Sequence, residues 1–260
     1  MQTFDSAGVE IAYLDTGHLD SQAGADKAPV LLIHGFASNA ATNWASTSWI
    51  DTLQRQGHRV VAMDNRGHGA SGKLYEVSDY GSPMMAEDAR RLLDHLRIEK
   101  AHVIGYSMGA RIAAFLAFAH PGRVKGLVFG GLGINMVRGL AGTGPIAHAL
   151  EAPSINDVTN PTARTFRAFA EQTRSDLKAL AACIRAARTP ITKEMLAKLS
   201  CPVLVAVGED DVVGGSAEDL AALIPGARAY TIRGRDHMKA VGDKAHKDAV
   251  IAFLDETELG

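Results

Sequence analysis

The sequence predicts an α/β protein built on a mostly parallel, doubly wound sheet. Three observations lead there: short, continuously apolar runs recur along the chain, helix-length segments separate them, and glycine or proline marks most of the junctions. A strand covered by helices on both faces has no solvent side to keep polar, so it reads as an unbroken apolar run rather than as an alternation.

Taken in order, residues 2–4 and 9–14 alternate about Ser6-Ala7-Gly8 and predict an N-terminal β-hairpin. A polar loop runs to Pro29. Residues 30–33, 59–63, 102–105, 124–129 and 203–207 are the apolar runs expected to form the parallel strands, with residues 229–232 as a last strand. Helices are expected over 44–56, 83–96, 108–119, 217–223 and 243–254. In the second of these, Met84, Met85, Ala89, Leu92, Leu93 and Leu96 form one stripe opposite Glu87, Asp88, Arg90, Arg91 and Asp94.

Residues 138–200 break this rhythm. They show helical periodicity at 165–172 and 176–187 but no convincing buried strand, and they read as a helical cap inserted into a core made of residues 1–137 and 201–260. The entry to the insertion carries Gly139, Gly142 and Gly144, followed by Pro145, Pro153 and Pro161, which predicts mobile connections.

A chain of 260 residues buries roughly 70–75% of its unfolded surface, enough for a core without disulfides or metal. Lys plus Arg number 27 and Asp plus Glu 29, a formal net charge of −2, and no long run of one sign occurs. Nucleic acid and anionic membrane are therefore not expected as partners. Cys183 and Cys201 lack the Cys/His spacing that zinc requires and are expected to be ordinary thiols, so no metal and no cofactor is implied. The start MQTFDSAGVEIAY has no basic segment leading into an apolar one, and no apolar stretch approaches a membrane span of roughly 18 residues. A cytoplasmic protein is expected, monomeric or a small homo-oligomer.

The chemistry centres on Gly105-Tyr106-Ser107-Met108-Gly109, which ends one predicted strand and opens the helix at 108–119. A sharp turn there lifts the serine hydroxyl above the sheet, and flanking glycines keep the turn free of Cβ clashes. A serine hydroxyl is a weak nucleophile until a neighbouring base takes its proton, so a histidine and an orienting carboxylate are needed elsewhere. For a nucleophile on such a strand–turn–helix the acid follows in the chain, and then the histidine. Only His237 and His246 lie beyond the strand at 203–207. His237 stands in the loop Gly234-Arg235-Asp236-His237, whereas His246 falls inside the last helix, so His237 is the candidate base. Glu209, Asp210 and Asp211 all follow the strand and are all candidates for the acid. Two main-chain N–H groups are needed for an oxyanion. Met108 supplies one as the residue after the nucleophile, and Phe36, in the loop His34-Gly35-Phe36-Ala37, supplies the other.

With these segments in view, His34-Gly35, Asp64-Asn65-Arg66-Gly67-His68-Gly69-Ala70-Ser71, Gly105 to Gly109, Gly208-Glu209-Asp210-Asp211 and Gly234 to His237 occur in the order seen in the α/β-hydrolase superfamily. The chain resembles bacterial carboxylesterases and lactonases of that superfamily over both core segments. The resemblance implies the α/β-hydrolase fold, Asp211 as the acid with Asp210 as the alternative, and a structural role for Arg66 and His68 in the Asp64 to Ser71 turn. It implies hydrolysis of a small ester-like substrate through an acyl-enzyme. Enol-lactones, thioesters and carbon–carbon bonds are open to the same machinery, and a non-catalytic ligand receptor on this fold is the reading from another class.

Weaker signals resolve to packing. Gly130-Gly131-Leu132-Gly133 lacks the spacing of a phosphate loop, and His34 with His68 has no further ligand at short spacing. Trp44, Trp49, Phe166 and Phe169 are candidates for lining a pocket, with core packing as their commoner fate. Arg164, Arg167 and Arg174 are expected on a solvated helix face.

Overall fold

The computed structural model describes residues 1–17, 27–139, 143–186 and 189–259. Residues 18–26 of the polar loop, Gly142 of the glycine-rich entry and Ala187 at the end of the second periodic stretch lie outside the described residues. Strands β1 (Gln2–Ser6) and β2 (Val9–Asp15) pair antiparallel across Ala7 and Gly8, whose φ angles of 53° and 88° give the doubly left-handed turn that matches strand twist. β2 then lies antiparallel to β4 (Val60–Met63), while β3 (Val30–Ile33), β5 (Ala101–Tyr106), β6 (Val124–Gly130), β7 (Val203–Gly208) and β8 (Arg228–Ile232) continue the sheet in parallel. The order is β1-β2-β4-β3-β5-β6-β7-β8, and it agrees with the doubly wound sheet expected from the apolar runs.

Both faces are covered. Helices α1 (Trp49–Arg55) and α10 (Lys244–Leu259) press Trp49, Leu53, Val250 and Phe253 onto Val30, Leu32, Ile104 and Val128. On the opposite face α2 (Ser82–His95), α3 (Met108–Ala119) and α9 (Ala217–Ala221) pack Leu92, Ile112, Leu116 and Leu220 against Leu31, Ile33, Val103 and Leu127. Successive strand residues thus feed two different cores, which is why the runs are apolar throughout.

Between β6 and β7 the described residues are helical or irregular. α4 (Asn135–Arg138), α5 (Thr143–Glu151), α6 (Pro161–Gln172), α7 (Leu177–Arg185) and α8 (Lys193–Leu196) follow one another. Ile146, Leu150, Ala163 and Leu180 of these helices form a third apolar cluster with Phe36, Ala37 and Tyr80 of the core.

Two expectations are corrected. The single helix expected over 44–56 is instead a π-turn at Ala41–Ala45 followed by α1, because Ser48 takes a left-handed φ of 61° and Thr47 donates its hydroxyl to the Asn43 carbonyl at 2.6 Å. Arg167 is not on a solvated face: it is buried and donates from Nη1 to the carbonyls of Ala149 and Ala152 while pairing with Glu171 at 2.7 Å. Arg164 and Arg174 are exposed as expected.

Candidate active site

Ser107 sits where β5 turns into α3, with φ 55° and ψ −113°, a backbone state that costs a non-glycine residue about 1–3 kcal/mol and persists only where surrounding packing enforces it. The enforcement is visible at the flanking glycines. A Cβ on Gly109 would lie 2.0 Å from the Ile33 carbonyl oxygen, and one on Gly105 would lie 2.2 Å from that of Gly109. The ends of β3 and β5 and the start of α3 are therefore in main-chain contact, which sets the loop after β3 beside the serine. The Ser107 N–H donates to Gly130 O at 2.8 Å and ties the turn to β6.

His237 reaches Ser107 from the loop between β8 and α10. Its Nε2 lies 3.0 Å from Ser107 Oγ, and its Nδ1 lies 2.7 Å from Asp211 Oδ2. Asp211 is buried in the turn after β7, where its Oδ1 accepts from the main-chain N–H groups of Val213 at 2.9 Å and Gly214 at 2.8 Å. The carboxylate is thus held from behind, and its second oxygen is aimed at the imidazole. The structure therefore brings Ser107, His237 and Asp211 together. Asp210 is exposed and Glu209 accepts from Gly234 N, and the carboxylate hydrogen-bonded to His237 Nδ1 is that of Asp211.

The Phe36 and Met108 amides both belong to segments that meet at Ser107, and among the described residues neither donates to another group. Two such donors beside a nucleophile suit a developing oxyanion, and the positive end of α3 adds to them. His34 and His68 support this loop from below. His34 donates from Nδ1 to Gly35 O at 2.7 Å and accepts from Asn65 N at 2.9 Å, while the His68 ring packs edge-on to Phe36. Burial pushes the His34 pKa down to about 4 and that of His68 to about 3, so both are neutral packing groups at pH 7. Among the described residues no three His, Cys, Asp or Glu side chains converge as a metal would require.

Asp64 ties the motif turn to the same loop, accepting from Ala40 N and Ala70 N at 2.7 Å each. Arg66 forms a buried ion pair with Asp88 at 2.7 Å and lies in the fold's interior, as its structural reading expects.

Sequence reasoning missed several groups. Tyr106 donates its hydroxyl to the His237 carbonyl at 2.6 Å and so holds the main chain of the histidine loop; its place next to the serine was the available signal. Two cavities meet at Ser107. One is lined by Met85, Leu132, Ile146, Ile184 and Val213 together with Ser82, Arg111 and Asn135. The other is lined by His237, Tyr106, Thr42 and Asn43 together with Met238 and Val241. Phe166 borders both, and Phe169 borders the second, so these two aromatics line the pocket while Trp44 and Trp49 are core.

Comparison with known proteins agrees with the fold. A family model described as the alpha/beta hydrolase fold matches residues 28–189. A 2-hydroxymuconate semialdehyde hydrolase from Pseudomonas sp. (strain CF600) is 34% identical over 134 residues, 51% of this chain and 43% of that protein. Among solved structures, a hydrolase from Pseudomonas aeruginosa PA01 is 27% identical over 97% of each chain with a TM-score of 0.72. A thermophilic esterase from Thermogutta terrifontis is 25% identical over 98% of this chain and 97% of its own, with a TM-score of 0.73. The chain spans from 25% to 46% of the length of the curated relatives it matches.

Proposed function

The chain belongs to the α/β-hydrolase fold family, and from that premise we propose that it is a serine hydrolase cleaving a carboxylic ester of a small substrate through an acyl-enzyme. The observation that carries the reading is the unbroken relay Asp211–His237–Ser107, with contacts of 2.7 and 3.0 Å opening onto two cavities.

Ser107 Oγ attacks the ester carbonyl carbon as His237 Nε2 takes the hydroxyl proton. The carbonyl electron pair moves to oxygen, where the Phe36 and Met108 N–H groups receive it. Asp211 holds the ring in the tautomer that leaves Nε2 free to act as base. Collapse breaks the ester C–O bond, and His237 returns the proton to the departing alkoxide. Water, deprotonated by the same nitrogen, then releases the acid and restores Ser107. The leaving oxygen must lie within reach of His237, so the leaving group occupies the cavity that His237 lines beside Ser107, and the acyl chain takes the cavity beyond Met85 and Ile146. In the 138–200 insertion, α5, α6 and α7 act as the cap, with Ile146, Phe166 and Ile184 bordering the first cavity and Phe166 and Phe169 the second.

The test is a turnover screen over short-chain esters, lactones, thioesters and a vinylogous diketone, with Ser107→Ala as the blank. The diketone is included because of the likeness to 2-hydroxymuconate semialdehyde hydrolase. Multiple turnovers of esters that vanish in Ser107→Ala support the reading. Ester hydrolysis that persists in Ser107→Ala, or turnover of none of the panel, overturns it, the latter in favour of a ligand receptor.

A further inference from the structure

The loop that carries His237 is held from the core by three buried side chains. Tyr106 Oη donates to His237 O at 2.6 Å, His246 Nδ1 donates to Ala240 O at 3.0 Å, and Trp49 Nε1 donates to Val241 O at 2.7 Å. All three are buried and their rings pack together. The His246 ring lies 5.1 Å from that of Trp49, edge-on, and 6.2 Å from that of Tyr106, while the Tyr106 ring lies 5.6 Å from that of His237. Burial pushes the His246 pKa down to about 4, and with Ala240 O as acceptor the neutral ring carries its proton on Nδ1. From the solvent side Asp236 Oδ1 accepts from Met238 N at 3.1 Å and Lys239 N at 2.9 Å. Residues 237–241 lie outside strand and helix, so no ladder fixes them and these side chains set where the loop stands.

Gly130 and Gly131, at the end of β6, make room for this cluster. A Cβ on Gly131 would lie 2.6 Å from Tyr106 Cζ, and one on Gly130 would lie 2.9 Å from Tyr106 Cδ2 and 3.3 Å from His246 Cε1. Gly131 also takes a φ of 60°, and Gly130 O accepts the Ser107 N–H. The glycine pair is thus the floor on which the Tyr106 ring lies. Tyr106 stands one residue before the nucleophile, so the end of β5 orients Ser107 directly and, through the Tyr106 hydroxyl, the main chain of its base.

We propose that Tyr106 and His246 are positioning residues for the general base: by fixing the carbonyls of His237 and Ala240 they hold His237 Nε2 where it serves both Ser107 Oγ and the departing oxygen. Their role rests on the serine-hydrolase reading. With any ester His237 takes the proton of Ser107, but with a poor leaving group it must also deliver that proton to the departing alkoxide. A displaced ring therefore costs more on an alkyl ester than on a p-nitrophenyl ester, whose phenolate departs as the anion. A side chain that served only to keep the protein folded would lower both rates alike.

The experiment measures kcat/KM for ethyl butanoate and p-nitrophenyl butanoate, which share one acyl group, in the wild type, Tyr106→Phe, His246→Leu and His246→Asn. Active sites are counted with a fluorophosphonate probe, so each rate refers to competent enzyme. Tyr106→Phe keeps the ring on its glycine floor and removes the hydroxyl. It is expected to lower the ethyl ester rate about tenfold and the p-nitrophenyl ester rate less than about threefold. His246→Leu is expected to shift the ratio in the same direction, and His246→Asn, whose amide nitrogen falls near the place of Nδ1, to return it to the wild-type value. Tyr106→Phe is close to isosteric, so it decides the question even where a His246 variant fails to fold. Two rates that are unchanged in Tyr106→Phe, or that fall by equal factors, overturn the positioning and leave the serine-hydrolase reading standing. Equal ratios in folded His246→Leu and wild type overturn the part given to His246. No Ser107-dependent turnover of either ester by the wild type overturns both readings.

Discussion

Replacing Asp211 by asparagine tests the relay at its least visible member. In the wild type Oδ1 accepts from two main-chain N–H groups, those of Val213 and Gly214, and Oδ2 faces His237 Nδ1 at 2.7 Å. The asparagine oxygen must stay with the two N–H donors, which turns its NH2 toward the imidazole. His237 then accepts at Nδ1 and carries its proton on Nε2, pointing at Ser107 as a donor when a base is needed. The wrong tautomer costs about 10⁴ in kcat, or about 5.4 kcal/mol. Flipping the carboxamide restores the tautomer but sets NH2 against two buried N–H groups, at about 1–3 kcal/mol each. That flipped fraction bounds the residual activity, so the expected loss lies between about 30-fold and about 10⁴-fold. The assay is kcat for a p-nitrophenyl ester at saturation, with thermal unfolding to show that the variant is folded. Asp210→Asn, at an exposed position, serves as the control and is expected to retain wild-type kcat. A folded Asp211→Asn enzyme with more than about a tenth of wild-type kcat, or an Asp210→Asn enzyme with the large loss, refutes the reasoning.

Other expectations concern the scaffold. Asp88→Ala leaves the Arg66 guanidinium buried without its carboxylate and removes the acceptor of Ser6 Oγ; the cost is about 3–5 kcal/mol, read as a Tm drop of about 6–20 °C, and an unchanged Tm contradicts it. Gly109→Ala places a Cβ 2.0 Å from the Ile33 carbonyl oxygen and is expected to yield insoluble or grossly destabilised protein, whereas a soluble variant with wild-type Tm shows that the approach of β3 to α3 is not as tight as described. His34, His68 and His246 are held neutral by burial, at about 4, 3 and 4, so between those values and pH 6.5 the unfolded chain binds protons that the folded chain does not. Stability is therefore lost as pH falls from about 6.5 toward 4, and urea midpoints at pH 7 and pH 5 measure it; a midpoint that does not fall at pH 5 counts against the assignment.

The strands were legible because packing on both sheet faces leaves a simple trace, the unbroken apolar run at Val30 to Ile33 and at Val203 to Val207. Ser107 and His237 were legible because strand, turn and helix order constrain where a nucleophile and its base stand. Choosing Asp211 over Asp210 needed the family likeness, since the distinction depends on which carboxylate turns inward to meet the Val213 and Gly214 amides. The break at Ser46 to Ser48 was not legible. It rests on the left-handed φ of Ser48 and the Thr47 hydroxyl bond to Asn43 O, and Lys247 Nζ braces it from outside by donating to Thr47 O at 2.7 Å. α5 was hidden because Gly144 and Pro145 signal a loop, although proline in a first helical turn costs nothing, its missing N–H being unpaired there in any case. The burial of Arg167 had a sequence signal, since Ala163, Arg167 and Ala170 share one helix face, and the two alanines mark that face as buried.

The most direct test of the central claim is to trap the acyl-enzyme. Mixing the wild-type protein with an activated acetate ester and quenching within the first turnover is expected to give one acetyl group per chain, mapped by mass spectrometry to the peptide containing Ser107 and absent from Ser107→Ala. Ester hydrolysis with no acylated peptide, or acylation mapped to another residue and retained in Ser107→Ala, contradicts the account.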